Sequence, residues 1–175
     1  MSELRKTPLF EAHESLGGKI IDFGGWALPV QYSGILDEHR AVRERAGLFD
    51  VSHMGEIHIK GPQAQAAIDH LVTNDCSKAK IHQLVYSPMC YPDGGVVDDI
   101  LVYKLCEDDY WLVVNAANTD KGFDWVKRNV SGYDVTVENI SPQVAQIAIQ
   151  GPAAQRILQK TTPCDLSSIK FFWCL

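Results

Sequence analysis

Residues 92–103, PDGGVVDDILVY, hold the strongest constraint on how this chain folds. Pro92-Asp93-Gly94-Gly95 is a turn signal, and the apolar run after it reads as a β-strand carrying two adjacent carboxylates. Side chains alternate between the two faces of a strand. Val97, Asp99, Leu101 and Tyr103 are therefore expected on one face, and Val96, Asp98, Ile100 and Val102 on the other. Both faces are mostly apolar. Whichever face packs inward takes one aspartate with it, and a buried carboxylate is costly without partners. Two explanations are open. One acid accepts hydrogen bonds from the Gly94-Gly95 turn or pairs with an arginine. Alternatively, it lies in a concave apolar pocket and acts on a cationic or protonatable nitrogen.

The rest of the chain supplies strands and helices in alternation. A short helix is expected from Thr7-Pro8 to about Leu16, then a strand over 19–23 and a Gly24-Gly25 turn. Ile35, His39, Val42 and Ala46 recur at helical spacing up to Gly47. Strands are expected near 48–60, 84–91, 96–105, 109–115, 134–140 and 144–150, and helices near 62–71, 119–130 and 152–160. Residues 59–65, IKGPQAQ, match residues 149–155, IQGPAAQ, at five of seven positions. Each reads as a strand end, Gly-Pro and an amphipathic helix, since proline fits a helix's first turn. This repeat points to an α+β fold: a mixed or antiparallel sheet with helices on one side, built from split β-α-β (ferredoxin-like) elements.

Several function classes receive no support. The net charge of −6, with no basic run interleaved with aromatics, gives no footprint for nucleic acid. Five scattered cysteines without a C-x-x-C pair read as reduced thiols. The opening MSELRKTPLF has no apolar core of a secretory signal, and no run is long enough to span a bilayer. A soluble cytoplasmic protein is expected. The six histidines lack metal-ligand spacing. His53 and His58, five apart on one expected strand, face opposite ways, and Ser52 and His53 are strand neighbours that form no dyad. Asn74, Asp75 and Cys76 read as an ordinary loop. No metal site and no serine or cysteine nucleophile is expected.

The motifs TPLFEAH, FGGWALPVQY, DEHRAV, GLFDVSHMGE, YSPM, GGVVDDILVY and VVNAAN, in this order, resemble the N-terminal part of the aminomethyltransferases of the glycine cleavage system. The resemblance runs from Thr7 to about Gln155. It implies transfer of a one-carbon unit from the aminomethyl-lipoyl arm of a small H-protein to tetrahydrofolate. Ammonia is released, and methylenetetrahydrofolate and reduced lipoate remain. Tetrahydrofolate is thus implied as a substrate, and the lipoylated H-protein as a partner.

The family's essential carboxylate corresponds to Asp99, placed near the reacting nitrogens of the folate. By the same resemblance Met54 and Tyr86 line the pterin pocket and Asn115 hydrogen-bonds the ligand. Tyr103, on the Asp99 face, contributes a wall, and Asp98 is the turn-facing or structural member of the pair. Family members are far longer than this chain, and their later half supplies further folate-binding residues. The expected organisation is a folate-binding region over 1–160 and the start of a truncated following segment over 161–175. The closing IKFFWCL reads as a strand cut off before its partner, an edge that invites self-association. Two other readings stay open: a folate-binding module of a related demethylase, and a non-catalytic half-protein.

Overall fold

A computed structural model describes residues 3–175, so the first two residues of the expected 1–160 region lie outside the described residues. In chain order the elements are α1 (Phe10–Ser15), β1 (Ile20–Phe23), β2 (Trp26–Pro29), α2 (Ile35–Glu44), β3 (Gly47–Asp50), β4 (Gly55–Lys60) and α3 (Ala64–Leu71). They continue with β5 (Leu84–Cys90), β6 (Val96–Cys106), β7 (Asp109–Val114), α4 (Thr119–Asn129), β8 (Thr136–Asn139), β9 (Ile147–Gln150) and α5 (Ala154–Leu158). The chain divides into two compact units. One runs to His53 and includes Ala145–Ser168; the other comprises Met54–Val144 and Ile169–Leu175.

The second unit is a five-stranded antiparallel sheet in the order β5-β6-β7-β4-β8. β7 and β8 both run antiparallel to β4 between them, so β7-α4-β8 is a split β-α-β element. Ile57 and Ile59 of β4, Ile100 and Val102 of β6, and Leu112 and Val114 of β7 are buried on one face. They form a single core with α3 and α4. On α3 the buried residues are Ala64, Ala67, Ile68 and Leu71, the i, i+3, i+4, i+7 stripe of an amphipathic helix. Burying each large aliphatic side chain there contributes roughly 1.5–3 kcal/mol. The fold is α+β with helices against one sheet face.

The first unit contains the β1-β2 hairpin and the β3-β9 pair, both antiparallel. Gly24 and Gly25 have φ of 60° and 88°, the double positive φ that a tight hairpin turn requires. The expected single strand over 48–60 is two strands in different sheets, β3 and β4, separated by the Ser52-His53-Met54 turn. The helix over 35–46 ends at Glu44, and Gly47 opens β3 rather than capping the helix. Thr7 does not cap α1: its hydroxyl donates to Asp50 Oδ2 at 2.6 Å.

The Gly-Pro repeat extends well beyond seven residues, at a constant offset of 90. Gly61 and Gly151, with φ of 148° and 114°, precede α3 and α5. Asp75 accepts from the Ser77 N–H, and Asp165 from the Ser167 N–H, each opening a 3-10 turn. His82 and Phe172 both adopt left-handed φ, 69° and 59°. The Leu84 N–H donates to the Phe172 carbonyl and the Cys174 N–H to the His82 carbonyl, both at 2.8 Å. Equivalent positions of the repeat thus pair with each other. The expected strand at IKFFWCL is correspondingly a turn ending in a single bridge, Gln83 to Trp173.

Candidate functional site

β6 decides which aspartate is buried. Met89 pairs with Asp98 but Cys90 pairs with Val96, so Val97 is the extra residue of a bulge. The expected alternation fails at that point. Val97 turns into the core beside Asp98, Ile100 and Val102, and does not share the Asp99 face. Asp98 is 2% exposed, whereas Asp99 is open to solvent.

The cost of burying Asp98 is offset by donors from the VVNAAN segment rather than by an arginine. Its Oδ2 accepts from the Asn115 backbone N–H at 2.9 Å, and its Oδ1 from Nδ2 of Asn115 at 2.8 Å and of Asn118 at 2.6 Å. Hydrogen bonds to a charged acceptor contribute roughly 1.5–3 kcal/mol each. Three of them match the several kcal/mol that a buried ion costs. The preceding turn is closed by its own Asp93, whose Oδ1 accepts from the Gly95 N–H at 2.9 Å, so neither Asp98 nor Asp99 serves it.

Asp99 stands on the opposite sheet face, next to the edge strand β5. Pro88 lies directly opposite it, at an edge position where a missing N–H does no harm. Tyr86, two pairs along and so on the same face, donates its hydroxyl to Asp99 Oδ2. Asn115 Nδ2 donates to Asp99 Oδ1 at 3.0 Å and lies 3.1 Å from the Asp99 carbonyl. The Asp99 carboxylate, as hydrogen-bond acceptor, pushes the Tyr86 phenol above its usual range, so Tyr86 remains a protonated donor at neutral pH. Three acceptor oxygens surround the Asn115 amide nitrogen, which fixes its orientation. Among the described residues the Asn115 Oδ1 has no partner. The hydrogen-bonding capacity this cluster leaves unused is therefore acceptor capacity, suited to an N–H donor or a developing positive charge.

The other expected site residues are placed less closely. Met54 immediately precedes β4, whose first residue Gly55 pairs with Val114, so Met54 and Asn115 flank the same end of adjacent strands. Tyr103 is half-buried four residues beyond Asp99, between Leu84 and Trp111, and makes no hydrogen bond to the Asp99 cluster among the described residues. Burial, with help from Cys174 and Glu56, raises its phenol pKa.

Two residues escaped sequence reading. Asn118 is the second asparagine of VVNAAN, and the i, i+3 spacing of the pair was the available signal. Glu56 lies on β4 opposite Val113, itself opposite Leu101, so it shares the Asp99 face. It is 2% exposed and, among the described residues, its Oε2 has no partner. Burial pushes its carboxyl up to about 7 against an opposing contribution from Ser141.

The first unit has a polar cluster of its own. Asp50 Oδ2 accepts from Thr7 and, at 2.9 Å, from His13 Nε2, while His13 Nδ1 meets the Tyr32 hydroxyl at 2.7 Å. The cluster borders a cavity of about 850 Å³ lined by Leu16, Phe23, Leu28 and Phe49. Burial raises the Asp50 pKa, but bonds from Ser52, Thr7 and His13 outweigh it and hold the carboxyl below its usual range. Thr7, His13 and Asp50, from TPLFEAH and GLFDVSHMGE, meet there. Among the described residues, no group of three or more His, Cys, Asp or Glu side chains is arranged to hold a metal ion, and no helix is long and apolar enough to cross a membrane.

The model of the GCVT N-terminal domain matches residues 9–175. This chain belongs to the GCVT N-terminal domain family. It is 54% identical over 173 residues to an aminomethyltransferase of Alkaliphilus oremlandii, covering 99% of this chain and 47% of the relative. It is 58% identical over 172 residues to one from Thermoanaerobacter sp. strain X514, covering 98% and 47%. The glycine cleavage system aminomethyltransferase T from Bartonella henselae superposes with a TM-score of 0.92 at 33% identity, over 97% of this chain and 46% of that one. A heterotetrameric sarcosine oxidase from Corynebacterium sp. U-96 is similar in fold alone, with a TM-score of 0.57 at 16% identity, over 93% of this chain and 69% of that one. The chain spans about half the length of the curated GCVT relatives it matches.

Proposed function

We propose that this chain is the carboxylate-bearing N-terminal half of an aminomethyltransferase of the glycine cleavage system, acting in the cytoplasm. The observation that carries this reading is the exposed Asp99 carboxylate, held by donors from Tyr86 and Asn115, in a chain more than half identical to named aminomethyltransferases.

In the proposed reaction an aminomethyl group, carried on a lipoyl sulfur of an H-protein, is passed to tetrahydrofolate. The folate nitrogens gain bonds to the methylene carbon, its bonds to nitrogen and sulfur break, and ammonia and dihydrolipoyl arm leave. Positive charge develops at the carbon and nitrogens. Asp99 accepts a proton from a folate nitrogen and stabilises that charge, for which a carboxylate already fixed by two donors needs little reorganisation. Asn115 Oδ1 accepts from a ligand N–H, Met54 and Tyr86 line the pterin, and Tyr103 forms a more distant wall. Residues 1–160 constitute the folate-binding region and 161–175 open the segment that follows. The later half of the enzyme completes the site.

The test is calorimetric titration with 5-formyltetrahydrofolate, a stable reduced folate, onto the chain joined to the C-terminal half of the Moorella thermoacetica relative, 56% identical over the shared part. Saturable binding is expected, weakened roughly tenfold or more in Asp99→Asn, the loss of one charge-assisted hydrogen bond. Absence of binding in the joined protein, or equal affinity in Asp99→Asn, overturns the reading.

A further inference from the structure

The residue before a helix usually caps it, its side-chain oxygen accepting from an N–H two or three residues on. Asn118 occupies that position before α4 and makes no such cap. Its side chain is spent on Asp98 instead, with Nδ2 donating to Oδ1 at 2.6 Å. The Asn118 N–H donates to the Asn115 carbonyl at 2.8 Å, closing the turn between the two asparagines. The turn is thus tied to β6 at both ends, by the Asn115 N–H on one oxygen of Asp98 and the Asn118 amide on the other.

We propose that Asn118, acting through the buried Asp98 carboxylate, is a positioning residue that fixes the Asn115 amide against Asp99. With both Asp98 oxygens held, the carboxylate cannot turn. The Asn115 NH₂ then has one arrangement, shared between Asp98 Oδ1 and Asp99 Oδ1, and its carbonyl oxygen is left without a partner among the described residues. Without Asn118, both Asp98 oxygens are held through Asn115 alone, by its backbone N–H and its Nδ2, and no second residue anchors the carboxylate against turning with the Asn115 side chain. Asn115 can then leave Asp99 or flip, presenting a donor where the site should present an acceptor. The consequence for catalysis rests on the function proposed above: selectivity for ligand edges rich in N–H depends on a residue that never touches the ligand.

Side-chain amide exchange of Asn115, read by ¹⁵N NMR on the 175-residue chain and assigned with Asn115→Asp, tests this without any ligand. Asn118→Ala is expected to speed that exchange roughly tenfold or more, the equivalent of one charge-assisted hydrogen bond. The backbone amides of Val102 and Leu112 should be unchanged, and Asn118→Ser, which keeps a donor, should fall between. Should Asn118→Ala fail to fold, Asp98→Asn gives the same readout, because its amide keeps a single acceptor oxygen, which cannot serve the Asn115 N–H and both side-chain amides at once. Unchanged Asn115 exchange overturns the proposal. A uniform acceleration across the sheet does so too, because it marks Asn118 as scaffold only. Neither outcome bears on folate binding, which the titration decides separately.

Discussion

Glu56→Gln will flatten the pH dependence of this chain's stability between about pH 5 and about pH 8. Glu56 is buried on β4 with one carboxyl oxygen unpartnered among the described residues, and burial raises its pKa from 4.5 to about 7. The sign follows from proton counting. Between those two values the folded state holds a proton that the unfolded state has released, so stability falls as pH rises. The contribution is fully present below about pH 4.5 and lost as pH passes through about 7. A gap of that size is worth about 3 kcal/mol. Glutamine is neutral throughout and has nearly the same shape. In urea unfolding at pH 5.0 and pH 8.5, the native chain should lose about 3 kcal/mol more than the variant between the two conditions. Parallel losses in both would mean that Glu56 finds a compensating partner when it ionises.

Asp98→Ala will cost about 3 kcal/mol or more, while Asp99→Ala will cost less than about 1 kcal/mol. The two residues are adjacent and chemically identical, so the contrast isolates environment. Removing the Asp98 carboxylate strips the partner from the Asn115 backbone N–H and the Asn118 amide, and leaves a hole in a nearly fully buried site. Unsatisfied buried donors cost about 1–3 kcal/mol each. Asp99 is exposed, and water can replace it for Tyr86 and Asn115. Denaturant midpoints at one pH measure both variants. Equal losses would show that Asp99 carries structural load of its own.

The sequence made some of this legible and concealed the rest for identifiable reasons. Both faces of residues 96–103 were apolar, so the prediction that one aspartate must be buried and satisfied followed from alternation alone. Which aspartate it was did not follow, because the Val97 bulge shifts register by one residue and no local residue type announces it. The donors to Asp98 come from residues 115–118, brought close by the β6-β7 pairing. The Gly-Pro repeat was visible where identities persist, at IKGPQAQ and IQGPAAQ. Its continuation through Asp75 and Asp165 to His82 and Phe172 lies in backbone conformation shared by different side chains. The division of 48–60 into two strands was hidden because Val51-Ser52-His53-Met54 carries neither glycine nor proline. Glu56 reads in the sequence as the ordinary polar partner in an alternating strand.

That Asp99 serves folate-dependent aminomethyl transfer is the core of the proposed function. It is tested most directly by ammonia release from an aminomethyl-lipoyl H-protein, with and without tetrahydrofolate, by the chain joined to the Moorella thermoacetica C-terminal half. Folate-dependent release is predicted, slowed about 10²–10⁴-fold in Asp99→Asn, the usual range for losing a general acid–base group. The unfolding midpoint of the variant should be unchanged. No folate-dependent release, or release at the native rate in Asp99→Asn, would contradict the account.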